Sequence, residues 1–209
     1  MLDDVTVVAP PSPADLSGWV RVAAWNLERG RWPAAMASVL ASTGADVVLL
    51  SEVDVGMARS SNRDVAAEIA AALGMGSVFG VEFLELGLGS PSEAAALAPG
   101  AANDRGLHGN AILGVAPVAG PRVVRIETGG PWTRPGSSEP REGGRMAVVG
   151  SVAVDGTAVT VATVHLESES TAPERADQLA VVLRELGDGP AIVGGDLNTF
   201  GAAFAELGD

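Results

Sequence analysis

Read only for where apolar and polar residues fall, the chain divides into short apolar runs separated by polar, Gly- and Pro-rich stretches. From Trp19, WVRVAAWN alternates and then turns apolar, as a strand buried on at least one face does. Pro33 opens the helical stretch PAAMASVLAST, where proline is well tolerated in a first turn. ADVVLLSEVD carries four consecutive branched apolar residues and ends in acids, which predicts a second, buried strand. DVAAEIAAAL predicts a helix capped by Ser61 or Asn62 and stopped at Gly74. SVFGVEF, HGNAILGV and RVVRIET predict further short strands. The clearest local pattern is MAVVGSVAV, Asp155-Gly156, TAVTVATVHL: two strands joined at a two-residue turn. APERADQLAVVLREL predicts an amphipathic helix, PAIVGGDLN a final buried strand, and a further helix begins near Phe200.

Between these elements lie two long stretches, LGLGSPSEAAALAPGAANDRG and GGPWTRPGSSEPREGG, which predict loops. Residues 1–18 are Pro-rich and polar and predict a loose lead-in, with order beginning at Trp19 and a domain over 19–209. Hairpins interrupt the strand–helix alternation, so the order favours two packed sheet layers flanked by helices over a purely parallel doubly wound sheet.

Composition narrows the chemistry. With 209 residues and 47% of them apolar, the chain is long enough to bury a substantial core. No apolar run reaches the roughly 18 residues of a membrane span, and the N-terminus lacks the pattern of a signal peptide, so the expected location is the cytoplasm. With no cysteine, disulfides, thiolate metal sites and a cysteine nucleophile are excluded, and any metal must be held by oxygen or imidazole. All 13 positive charges are arginine, and the formal charge of −13 opposes a nonspecific grip on nucleic acid. It leaves open a nuclease whose metal ion supplies the local positive charge.

The polar residues at strand ends then stand out. Asn26 ends the first strand, Glu52 the second and His165 the long hairpin strand, while Asp196 and Asn198 end the last. Groups placed after apolar runs on different strands converge at one rim of a sheet. Two carboxylates, two carboxamides and an imidazole form an oxygen-rich set that suits Mg²⁺ or Mn²⁺.

In order, VAAWNLERG, DVVLLSEVD, HGNAIL, VATVHLES and IVGGDLNT resemble the motifs of the endonuclease/exonuclease/phosphatase superfamily, over about Val20 to Thr199. The resemblance implies a four-layered α/β sandwich, two packed mixed sheets flanked by helices, and metal-dependent cleavage of phosphate esters. Carried over to this chain, it implies that Glu52 coordinates the cation, with Asn26 beside it as a ligand or phosphate contact. Asp196 orients the attacking water and helps to hold the metal, Asn198 holds a nonbridging phosphate oxygen, and His165 donates to the phosphoryl group or the leaving oxygen. It also implies a later strand ending in Asp-His, whose His is the general base. His108 and His165 are the only histidines, and both match earlier motifs. The expectation is therefore a chain without the family's last strands, or a protein without that base. Family members often carry Ser-Arg after the GNAIL-like strand, where this chain has Gly114-Val115.

The remaining candidates each have two readings. Arg105, His108, Asn110 and Arg145 are candidate substrate contacts, against surface arginines and a turn leading into a strand. Glu82 and Glu85 are site candidates or solvent-facing acids, and Trp25, Trp32 and Trp132 are expected to pack. The expected partner is a small or lipid-linked phosphate ester. Nucleic acid is disfavoured by the charge, and a noncatalytic metal- and phosphate-binding module is the reading from another class.

Overall fold

The computed structural model describes residues 2–126 and 139–199. In chain order its elements are β1 (Val5–Val8), β2 (Val22–Arg29), α1 (Pro33–Thr43), β3 (Val47–Val55), α2 (Val65–Leu73), β4 (Gly76–Glu85) and α3 (Pro91–Ala95). They continue with β5 (Leu107–Gly114), β6 (Ala119–Arg125), β7 (Arg141–Gly143), β8 (Met146–Val154), β9 (Thr157–His165), α4 (Ala172–Leu186) and β10 (Ala191–Asp196). One mixed sheet has the order β1-β4-β5-β3-β2, with β7 also on β4, and the other has the order β10-β9-β8-β6.

Side-chain alternation explains why two sheets form. On β3, Val47 and Leu49 point into the core between the sheets, where they meet Ile112 of β5, Met146 and Val148 of β8 and Val161 of β9. The alternate residues Val48 and Leu50 point the other way, against Leu40 of α1 and Val65 and Ile69 of α2. The second sheet does the same: Ala147, Val149, Ala162 and Val164 face Val182 of α4. Strands buried on both faces read as unbroken apolar runs, and each fully buried Val or Leu contributes ~1.5–3 kcal/mol relative to exposure. The layers are helix, sheet, sheet, helix, the expected α/β sandwich. The hydroxyl of Thr163 donates across the interlayer to the Leu50 carbonyl at 3.1 Å.

Several local expectations are corrected. The lead-in is not loose throughout, because Val5–Val8 pairs antiparallel with β4 from Gly80 to Ser77. Asp64, rather than Ser61 or Asn62, caps α2 by accepting the Ala67 N–H at 3.0 Å. The first long loop contains α3, set by a capping box between Ser90 and Glu93. β10 lies at the edge of its sheet, parallel to β9, and is half-buried rather than buried. Trp25 packs against the helix-side core, whereas Trp32 is exposed. Trp132, most of the second long loop and the helix near Phe200 lie outside the described residues.

Candidate active site

The strands that should carry polar groups to a common rim also depart from regular pairing there. The β2–β3 register shifts between Asn26 and Arg29, the β3–β5 register between Leu50 and Val53, and the β4–β5 register between Val81 and Phe83. Glu52 and Glu82 lie within these bulges, which re-aim side chains that a flat ladder would send elsewhere. Glu28, Arg29, Glu52 and Asn198 have positive φ (48°, 76°, 55° and 49°), a conformation that costs roughly 1–2 kcal/mol for a residue with a Cβ. Such strain persists only where surrounding packing holds it. At Gly109 a Cβ would stand 2.0 Å from the Gly80 carbonyl oxygen, so the crowded β4–β5 register beside Glu82 requires glycine.

The centre of the site is the amide nitrogen of Asn26. It donates to Glu52 Oε1 at 2.9 Å and to Asp196 Oδ2 at 2.8 Å, joining strands of both sheets. The Asn26 oxygen accepts the Glu28 N–H at 2.9 Å, which fixes which end of the amide faces the acids. Asp196 Oδ1 accepts the Asn198 N–H at 2.8 Å, and the Asn198 side chain donates to the Leu166 carbonyl at 2.7 Å. Arg29 Nη1 stands 2.6 Å from Glu52 Oε2. Burial pushes the Glu52 carboxyl up, but the charges of His108 and Arg29, the Asn26 hydrogen bond and His165 outweigh it and hold the group below its ordinary range.

His165 closes the other side of Glu52, with Nε2 3.8 Å from Oε1. Its Nδ1 lies 3.0 Å from Arg145 Nη1. A guanidinium can only donate, so in the neutral ring Nδ1 accepts and the proton sits on Nε2, on the Glu52 side. Arg145 is itself gripped by Glu82 Oε1 at 2.7 Å and Glu167 Oε2 at 3.0 Å. Burial drives the Glu82 carboxyl up, yet the Arg145 guanidinium beside it keeps it far below the carboxylate range.

Beneath this lies a second buried network. Arg59 donates to Asp54 through two bonds of 2.9 Å, and His108 Nδ1 lies 2.8 Å from Asp54 Oδ1. Burial raises the Asp54 carboxyl, but the hydrogen bonds from His108 and Arg59 and their charges bring it to about 2. Arg59 also reaches Glu85 at 3.4 Å and Glu93 at 3.5 Å.

The sequence candidates therefore fall into three groups. Asn26, Glu52, His165, Asp196 and Asn198 are brought together. Arg145, His108 and Asn110 are buried beside or below them, Asn110 donating to the Met146 carbonyl at 3.1 Å to tie the sheets together. Arg105 is exposed on a loop, with its N–H on the Gly56 carbonyl at 3.0 Å. The solvent-facing reading of Glu82 and Glu85 and the surface reading of Arg145 are overturned, because all three are buried in ion pairs. Sequence reading passed over Arg29, Asp54, Arg59, Glu93 and Glu167. Arg29 stands three residues after Asn26 in WNLER and Glu167 two after His165 in HLES, so spacing from the motif residues was the available signal.

The donor set fits a hard divalent cation. Glu52 and Asp196 offer two carboxylates gathered at one amide, the number Mg²⁺ commonly takes from protein. Among the described residues, no group of three or more His, Asp or Glu side chains forms a fuller cage. No described helix is long and apolar enough to cross a membrane.

Residues 23–204 match the Endonuclease/Exonuclease/phosphatase family, and the chain belongs to that family. Among solved structures it is similar to the endonuclease/exonuclease/phosphatase from Beutenbergia cavernae, at TM-score 0.63 and 24% identity over 87% of this chain and 48% of that one. It is also similar to the human Nocturnin catalytic domain with bound sulfate anion, at TM-score 0.59 and 18% identity over 94% of this chain and 68% of that one. A humanized D. rerio TDP2 matches at TM-score 0.53 and 20% identity over 90% of this chain and 66% of that one. The chain thus spans from about half to two thirds of the length of these structures. No curated protein is significantly similar to it.

Proposed function

We propose that this protein is a divalent-metal-dependent hydrolase of phosphate esters, acting on a small or lipid-linked substrate. The observation that carries the reading is the single Asn26 amide nitrogen holding Glu52 and Asp196 together in a chain of this family. Glu52 and Asp196 would hold Mg²⁺ or Mn²⁺, and the bound cation would supply Lewis-acid polarisation of the phosphoryl oxygen. Asn26 presents nitrogen, not oxygen, to the acids, which favours it as the residue that sets their spacing over a direct ligand.

Asp196 orients the attacking water. The Asn198 amide has one hydrogen on the Leu166 carbonyl and a second for a nonbridging phosphate oxygen. His165 donates from Nε2 as charge develops on the phosphoryl group, and Arg145 keeps the ring in that tautomer. Positioning and charge stabilisation account for most of the chemistry in such transfers.

The test is hydrolysis of bis-p-nitrophenyl phosphate and p-nitrophenyl phosphate with Mg²⁺ or Mn²⁺. Metal-dependent turnover reduced at least about 100-fold in Asp196→Ala supports the proposal. Folded protein that hydrolyses neither ester with either metal overturns it.

A further inference from the structure

Arg29 does not end at Glu52. While its Nη1 lies 2.6 Å from Glu52, its Nε stands 3.6 Å from Glu93 Oε1, on the short helix α3. The same carboxylate meets Arg31 Nη2 at 2.7 Å and Arg59 Nη1 at 3.5 Å, so three guanidiniums converge on one acid. A cavity of about 300 Å³ opens at this point, lined by Arg31, Arg59, Ser92, Glu93, Ala96 and Leu97.

The hydrogen bonding there is incomplete. Arg59 lines the cavity with a side chain only 1% exposed, yet its Nη1 has no hydrogen-bond partner, and neither does the buried Nε of Arg29 behind Glu93. Glu93 is close enough to balance charge but too far from both nitrogens to satisfy their N–H groups. Buried donors left unmade are costly, and a forked guanidinium suits a phosphate, whose several oxygens accept from more than one direction.

We propose that this arginine pocket is a second anion site that receives a further phosphate group of the substrate, while Glu93 occupies it as a placeholder. The assignment rests on the phosphoesterase reading for the link to substrate, since Arg29 bridges Glu52 of that centre and Glu93 of the pocket wall. The substrate class becomes a small ester carrying two phosphate groups, one at Glu52 and Asp196 and the other between Arg31 and Arg59, which line the cavity. Glu93 is a carboxylate throughout the neutral range, because its Ser90 hydrogen bond and the three arginines outweigh the cost of burial. An incoming phosphate therefore has to displace a charged group.

The test is calorimetric titration of the metal-free chain with inorganic phosphate, using wild type, Glu93→Gln, Arg31→Gln and the exposed control Arg63→Gln, which does not line the cavity. Glu93→Gln retains the oxygen that accepts the Ser90 N–H, so α3 keeps its cap. Expected are binding tightened about tenfold in Glu93→Gln, weakened at least about fivefold in Arg31→Gln and unchanged in Arg63→Gln. Absence of binding, or binding indifferent to Glu93 and Arg31, overturns the pocket. Bis-p-nitrophenyl phosphate carries one phosphate and reads the Glu52 centre alone. Hydrolysis of it without Arg31-sensitive phosphate binding sinks the pocket and leaves the phosphoesterase. Arg31-sensitive binding without hydrolysis does the reverse.

Discussion

The amide nitrogen of Asn26 lies 2.8 Å from Oδ2 of Asp196, 170 residues further along the chain and on the other sheet. That one contact, with its twin to Glu52, sets the distance between two carboxylates that would otherwise repel. Asn26→Ala removes both bonds from a half-buried position without opening a large cavity. Metal-dependent hydrolysis is expected to fall ~10–100-fold, with the loss recovered in part at high Mg²⁺, because supporting residues of metal sites act through ligand geometry. Steady-state rates over a Mg²⁺ titration check this; a rate unchanged at every concentration contradicts it.

Arg145 sits between Glu82 and Glu167 with hardly any solvent access. Arg145→Met leaves the Glu82 charge buried, and removing one partner of such a pair costs about 3–5 kcal/mol. The double variant Glu82→Gln/Arg145→Met is expected to recover part of that loss, since the uncompensated charge has gone. Urea unfolding of the two single variants and the double completes the cycle.

Acid should weaken the fold through Arg59. Asp54 and Glu93 have carboxyls brought to about 2 from ordinary values of 3.8 and 4.5. Their folded-state values are depressed, so in this window the unfolded chain binds more protons than the folded one. The stabilisation is therefore complete above about pH 4.5 and is lost as pH falls towards 2. Thermal midpoints measured from pH 6 to pH 2 should decline through that window. In Arg59→Met the midpoint should start lower and decline less steeply.

Gly109→Ala places a methyl group where the Gly80 carbonyl now stands 2.0 Å away. Backbone has to move, β4 separates from β5, and Glu82 loses its bulged position. A destabilisation of at least ~1–3 kcal/mol is expected, together with loss of hydrolysis as Glu82 and Arg145 no longer hold His165. Chemical unfolding combined with the ester assay checks both; an unaltered midpoint rules out the crowded register.

Helices α1, α2 and α4, the β8–β9 hairpin and the layered architecture were legible in the sequence because apolar period and turn chemistry are local properties, whereas α3, only five residues long, was read as loop. So were Asn26, Glu52, His165, Asp196 and Asn198, each placed where an apolar run stops. The supporting residues were not. Arg59, Asp54 and Glu93 look like surface charge in a one-dimensional reading, and what removes them from solvent is the set of ion pairs by which Arg59, in the turn after β3, joins Asp54 of β3, Glu85 of β4 and Glu93 of α3. The strand at Val5–Val8 was hidden for a related reason: its pairing with β4 is a contact between segments some 70 residues apart.

By itself, the sequence determined which residue types reach the rim of the sheets and that oxygen and imidazole must do any metal work there. Tertiary structure alone decided how they face one another: which end of the Asn26 amide meets the acids, and which nitrogen of His165 is engaged by Arg145. It also decided that three arginines share a single glutamate. The reason is physical, since periodicity encodes which face of an element is buried, whereas the orientation of a polar group depends on partners brought near only when strands from distant parts of the chain pack.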